Sequence, residues 1–484
     1  MNTTHCPSST AASTLKKGVD VVTNINRIRV ETTGRQTKID CDAVDQEPVP
    51  MEILKHLPGT PEEFFCGGLE DSFVEHARPG HPERPMDEFE LMRVYKRFRK
   101  YLNNVAKLQS GNRRVTRLRT GAPWHLIETQ PGVYDWRWMD KFVNHANKLH
   151  IDLIVDVVHY ATPLWMEKSF LDPQYPEHVA SFAAALAARY KGKVTLYSPL
   201  NEPGVNAQMC GEAGAWAPYL TGPTGYVQVL IQLALGIQKT VQAIRAVDPD
   251  AVMFAVEAMS YTLPLSPAAV PVAKARLHRD LVCWDLVHGK VDESHACFGW
   301  LTEMGTSLEA LAALRSNAVK MDVLGVNFYP WSSKTVDVVD GKVVDGWGKW
   351  DGHLLANLLR DCHDYTQAPM WVTETSAHGA GAGSKTGAVL DHWPELRIEW
   401  LDATMAACAE VRKEGLPLLG YTQFPLFSMV DWLYRNGTGP VEDYLINLGM
   451  YDVKLVGEDD IKIVKTATVD RFLYHLHTFE AQGM

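Results

Sequence analysis

The chain lacks any run near the ~18 consecutive apolar residues that a membrane-spanning helix requires, so no such span is expected. Its first residues, MNTTHCPSSTAASTLKKG, lack the apolar central stretch of a secretory signal. It also lacks a positive excess. The net charge is −11 with no basic run to offset it, which argues against nucleic acid and anionic membrane surfaces as partners. Cys6, Cys41, Cys66, Cys210, Cys283, Cys297, Cys362 and Cys408 are scattered and form no CxxC pair. That gives no support to a zinc ribbon and leaves a disulfide framework unexpected in so long a chain. The expectation is a reduced, cytoplasmic protein with buried thiols and no metal. No GxGxxG follows the first predicted strand, which weakens the case for an open dinucleotide-binding sheet.

What is present is a long alternation of strands and helices. Of 484 residues, 46% are hydrophobic, enough for one large core. Residues 1–60 are polar and weakly periodic, and read as an amino-terminal arm, partly disordered. From Pro61 onward, eight short strand candidates appear: Phe64–Leu69, Arg114–Thr120, Leu153–His159, Val194–Leu200, Val252–Val256, Val323–Phe328, Met370–Thr373 and Leu419–Phe424. Several are near-continuous apolar runs, as strands buried on both faces must be. Helical periodicity fills the intervals, most clearly at Pro176–Tyr190, Tyr226–Val247 and Pro394–Arg412. The stretch from about Thr262 to Met321 exceeds what one crossover needs and predicts an elaborated loop with extra helix. Eight strands with helical crossovers predict an α/β fold, a (β/α)₈ TIM barrel over residues 61–484 as a single domain.

In such barrels the chemistry sits at the carboxyl ends of the strands. The fourth candidate strand ends in Asn201-Glu202-Pro203, and the seventh ends in Glu374. Two carboxyl groups on nearly opposite sides of a barrel mouth suit glycoside hydrolysis. One protonates the leaving oxygen, and the other attacks the anomeric carbon or activates water. Pro203 locks its own φ and helps fix the loop, and Asn201 offers an amide to a sugar hydroxyl.

With these residues in place, the sequence resembles glycoside hydrolase family 1 and, more broadly, the clan A barrels, from about Pro61 to Val453. The family's Asn-Glu-Pro acid/base motif is matched by Asn201, Glu202 and Pro203. Thr373 and Glu374 match the first half of its nucleophile motif. Its Arg on the second strand, five residues before a Trp, matches Arg119 and Trp124. Its His-x-x-x-Pro matches His159 and Pro163, and its Asn-Tyr-Tyr reads Asn327-Phe328-Tyr329. Its late Glu-Trp pair reads Asp431-Trp432. The resemblance implies a retaining, exo-acting β-glycosidase of the β-glucosidase/β-galactosidase kind, working without a cofactor on a small glycoside or oligosaccharide. It assigns Glu202 as acid/base and Glu374 as nucleophile, with Arg119 and Tyr329 holding Glu374. His159, Asn201, Asn327, Trp124, Asp431 and Trp432 become substrate contacts. A transglycosidase using the same two glutamates and a non-hydrolytic carbohydrate-binding protein remain as alternatives.

Several positions depart from the family. Val74 stands where a sugar-gripping Gln is usual, Phe424-Pro425 replaces Trp-Ser, Asp431 replaces Glu, and Thr375-Ser376 replaces Asn-Gly. These changes touch sugar recognition rather than the catalytic pair. Glu70, Asp71 and His76 are candidates to replace the lost Gln contact. Gly379–Lys385 superficially resembles a phosphate loop but lacks the Gly-Lys-Ser/Thr ending. Cys362, His363 and Asp364 are adjacent residues that cannot share one helix face, so they make a poor metal site.

Overall fold

Each of the eight strand candidates forms a strand, and each strand pairs in parallel with its neighbours in chain order until the eighth closes on the first. The strands are β1 (Phe65–Gly68), β2 (Arg117–Gly121), β3 (Asp152–Asp156), β4 (Leu196–Ser198), β5 (Val252–Ala258), β6 (Val323–Asn327), β7 (Met370–Thr375) and β8 (Leu418–Gln423). The computed structural model describes residues 61–74, 83–377 and 393–479. The predicted amino-terminal arm, His76 and the Gly379–Lys385 loop lie outside them.

Alternation along the strands explains how one sheet serves two cores. Cys66, Ile154, Leu196, Val252, Phe254, Val256, Val323 and Trp371 form one apolar cluster made only of strand residues, the barrel interior. Their neighbours Phe65, Leu153, Val155, Met253, Ala255, Leu324 and Val372 join the larger cluster under the helices. Trp371 is the largest interior group, and its indole donates to Thr422 Oγ1 at 2.9 Å. Gly420 makes room for it, because a Cβ there would lie 2.2 Å from the Trp371 ring.

The predicted helices appear at Tyr175–Tyr190, Gly222–Val247 and Trp393–Lys413. Gly222–Val247 is long and apolar enough to cross a membrane, but two thirds of its most apolar stretch is buried within the protein. The carboxyl-terminal helix Ala467–Thr478 sets Phe472 edge-on against Phe65 of β1. The long β5–β6 crossover contains the extra helices expected of it: Val270–Asp280, Val282–Val287, Phe298–Glu303 and Leu308–Ser316. It also supplies a strand that the sequence reading missed. Tyr261–Pro264 pairs with Ser333–Val339, which continues through a hairpin to Lys342–Trp347. This small sheet follows the carboxyl ends of β5 and β6 and walls the mouth of the barrel. Cys66, Cys210, Cys283, Cys297, Cys362 and Cys408 are all free and buried.

Candidate active site

Glu202 and Glu374 line one cavity of about 950 Å³. The backbone aims both. Glu202 sits just past β4 in the left-handed region, with φ 48°, and its amide donates to Val256 O of β5 at 3.1 Å. Pro203 then begins the short helix Pro203–Ala207. A non-glycine residue in that conformation is a strained feature of the sort that clusters at functional sites. Glu374 lies near the end of β7, where the pairing with β6 slips after Val326 and brings Asn327 opposite Glu374.

The two carboxyl groups have unlike partners. Arg119 Nη1 donates to Glu374 Oε1 at 2.5 Å, and the Tyr329 hydroxyl donates to Oε2 at 2.8 Å. Arg119 is completely buried. Burial works against its charge, but Asp156 and Glu374 outweigh burial and raise its pKa. Its fork also reaches Asp156 Oδ2 at 2.9 Å and Asn201 Oδ1 at 2.7 Å. Glu202 instead receives two neutral donors: Asn327 Nδ2 at 2.7 Å on Oε1, and the Tyr160 hydroxyl on Oε2. Burial, reinforced by the charge of Glu374, pushes Glu202 up to about 7, against the pull of the Tyr160 and Asn327 hydrogen bonds. A carboxyl group that keeps its proton near neutrality beside one gripped by a guanidinium is the electrostatic division that paired acid and nucleophile require.

The predicted sugar contacts divide into three groups. Glu70, His159, Asn327, Asp431 and Trp432 line the cavity. Glu70 is raised chiefly by burial and accepts from Ser72 N at 2.9 Å, while Val74 is buried and paired with Met86. Asp431 also caps the turn Trp432–Asn436 by accepting from Leu433 N at 2.9 Å. Trp432 packs with Trp216 and Tyr160, ring centroids 5.0 and 5.8 Å away.

Asn201 and Asp71 stand behind the cavity wall. Asn201 is fully buried between Arg119 and His159. Asp71 accepts from His159 Nδ1 at 3.0 Å. For the imidazole, burial opposes a second proton, but Asp71, Glu70 and Asp156 outweigh it and raise the pKa to about 10. The hydrogen bonds nonetheless select the neutral tautomer. Arg119 fixes the Asn201 oxygen, so the Asn201 amide N–H faces His159 Nε2 at 2.9 Å and needs a lone pair there. Both ring nitrogens of His159 are thus engaged by protein. The expected direct contacts from His159 and Asn201 to a sugar hydroxyl are not poised in this arrangement, in which the two residues orient each other and Arg119. Asp71, Asp156 and His159 offer three donor atoms within 4.8 Å, but the Arg119–Asp156 ion pair and the Asp71–His159 hydrogen bond already use them.

Trp124 is a correction. It is buried, stacks on Phe182 with centroids 5.3 Å apart, and donates its indole N–H to Glu128 Oε2 at 2.6 Å. It is a packing residue beneath the β2 loop and forms no part of the cavity wall.

Two partners of the catalytic groups were missed from sequence, Asp156 on Arg119 and Tyr160 on Glu202. Asp156 interrupts the apolar run LIVDVV, and a charge inside a buried strand is itself a signal of a paired partner. Tyr160, with φ 80°, follows His159 and gave no comparable signal.

No protein-family model matches the chain, and no curated protein sequence does. Solved structures do match. A β-glucosidase from Thermotoga maritima in complex with glucoimidazole superposes with a TM-score of 0.70 at 17% identity, over 88% of this chain and 99% of that one. A family 1 β-glucosidase structure from the same organism gives 0.69 at 18% identity, with the same coverage. Its complex with deoxynojirimycin gives 0.69 at 16%, over 87% and 98%. The chain therefore has the (β/α)₈ fold of those glycosidases and is similar to glycoside hydrolase family 1 in architecture.

Proposed function

We propose that this protein is a retaining, exo-acting β-glycosidase working by double displacement. The observation that carries the reading is the pair of glutamates on one cavity in opposite electrostatic surroundings. Glu374, held by Arg119 and Tyr329, attacks the anomeric carbon. Glu202 gives its proton to the departing glycosidic oxygen. Ester formation then removes the negative charge of Glu374, one of the influences that raised Glu202. Glu202 becomes a stronger acid, and its carboxylate takes a proton from the water that attacks the anomeric carbon and releases Glu374. Glu70, Asp431 and Trp432 supply the sugar-facing contacts, while Asn201, His159 and Asp71 hold the catalytic groups in place. The free, buried thiols fit a cytoplasmic protein. Residues 61–484 form the catalytic domain in this reading, and 1–60 a separate arm.

Trapping tests it. Activated 2-deoxy-2-fluoro β-glycosides of several sugars should inactivate the protein, with the adduct mapped to Glu374 by mass spectrometry. An active protein labelled at another residue would sink the assignment. Proton NMR of the first product should show the β-anomer, and an α-product would replace retention with inversion. Transfer to an alcohol instead of water is a second reading, favoured by the apolar Val205, Met209, Val272 and Trp331 in the same cavity. Product analysis with added alcohol separates the two.

A further inference from the structure

The cavity extends well beyond the two glutamates, and its outer part has a chemistry of its own. Because Glu202 protonates the leaving oxygen, the leaving group lies on its side. Gly204, Val205, Gln208 and Met209, which follow Glu202 in the chain, line the cavity there. The same cavity is lined by Arg276 and Arg279 of the helix Val270–Asp280 and by Lys334 of the strand Ser333–Val339. Three cations thus gather in one chamber of a chain whose net charge is −11.

Their partners are unequal. Arg276 is ion-paired with Asp345. The guanidinium of Arg279 and the ammonium of Lys334 make no hydrogen bond or ion pair with another described residue. Arg279 lies over the Trp300 ring, with Tyr226 beside it, and feels Glu212 and Asp280 only through space. An arginine so placed keeps its charge and presents its fork to whatever enters. The carboxyl groups nearest these cations have hydrogen-bond or ion-pair partners of their own. Asp345 is committed to Arg276. Asp280 accepts from Ser260 N at 3.3 Å and is raised by burial to about 6, so it is ionised at neutral pH. Burial and the neighbouring Glu202 raise Glu257 well above the usual range, and it accepts from Gly204 and Ala258 amides. Arg279 and Lys334 are thus cations on the cavity wall with no ion-pair partner among the described residues, beside an apolar surface that includes Trp331 and Trp347.

We infer that the leaving-group side of the cavity selects an aglycone with an apolar, arene-like body and an anionic group, a carboxylate, that Arg279 and Lys334 receive. The inference rests on the glycosidase reading and narrows it to a substrate class. A carboxylate accepts two parallel N–H bonds from the Arg279 fork, and Trp331 and Trp347 offer faces to the ring.

The test uses matched 3-carboxyphenyl and 3-carbamoylphenyl β-D-glucosides and β-D-galactosides, which share size and differ in charge. The full-length protein should favour the carboxylate in kcat/KM by roughly tenfold or more, and the preference should shrink as salt is added. The ratio should fall toward one in Arg279→Gln and by part of that in Lys334→Gln. A ratio near one in the unaltered protein, or a ratio that survives both substitutions, overturns the inference. If Arg279→Gln does not fold, Lys334→Gln and Arg279→Lys carry the comparison. If neither glycoside is cleaved, the hydrolase reading fails on its own. Calorimetric titration with the same pairs then decides the subsite: tighter, Arg279- and Lys334-dependent binding of the carboxylate upholds it, and equal binding refutes it.

Discussion

Glu374 and Glu202 face the same cavity, both almost wholly buried, yet their surroundings differ in kind. Glu374 is met by a guanidinium and a phenol, Glu202 by an amide and a phenol. The phenols are common to both, so the cation makes the difference. One buried positive charge, itself anchored by Asp156, is paired with Glu374 and not with Glu202. After burial, the charge of Glu374 is the next influence that raises Glu202 across the cavity. A single arginine therefore separates the roles of two chemically identical side chains.

The largest expected effect breaks this pair at its charged end. Glu374→Gln keeps the shape and removes the nucleophile, so kcat on an aryl β-glycoside should fall on the order of 10⁴-fold or more. A correctly folded variant within about tenfold of the parent would remove Glu374 from the chemistry. Glu202→Ala should follow, at about 10²–10⁴-fold on glycosides with poor leaving groups. The loss should be smaller where the leaving group needs no proton, and azide should restore turnover with formation of a glycosyl azide. No rescue in a folded variant would count against the acid/base role.

The third test sharpens the comparison at the shared phenol. Glu202 must carry its proton in the empty enzyme, so kcat/KM should decline as pH rises through about 7. The Tyr160 hydroxyl donates to Glu202 and lowers its pKa. Tyr160→Phe should therefore raise that pKa and move the alkaline limb upward by about one unit. An unmoved or downshifted limb would mean that Tyr160 does not bond the carboxyl group in solution.

What the sequence made legible follows from how strongly each feature is constrained. The barrel strands could be read because strands covered on both faces leave few options besides apolar residues, as in Val252–Val256. The glutamates could be read because they fall at strand ends beside a proline or a threonine. Partners that depend on folding could not. Asn201 looks like a sugar ligand until Arg119 and His159 close on it from both sides. Tyr160 reaches Glu202 across the β3–β4 gap, a pairing that no local pattern encodes. The small sheet at the mouth joins segments from two different crossovers, and its exposed Val343, Val344 and Trp347 lack the one-sided burial that marks a strand in sequence.

Trp124 gives the smallest effect and the cleanest contrast with Trp432, since sequence similarity placed both at the sugar and only Trp432 reaches the cavity. Trp124→Phe retains an aromatic face for Phe182 but deletes the indole N–H on Glu128 Oε2. Glu128 keeps its other bond, from Gly132 N to Oε1 at 2.7 Å, so one buried acceptor loses its partner. That loss should cost about 1–3 kcal/mol, read as a lower chemical-denaturation midpoint, with KM for an aryl glycoside unaltered. Trp432→Phe should do the reverse, raising KM with little change in the midpoint, because its partly exposed ring faces the cavity and packs only beside Trp216 and Tyr160. A rise in KM for Trp124→Phe that equals the rise for Trp432→Phe would return Trp124 to the binding site.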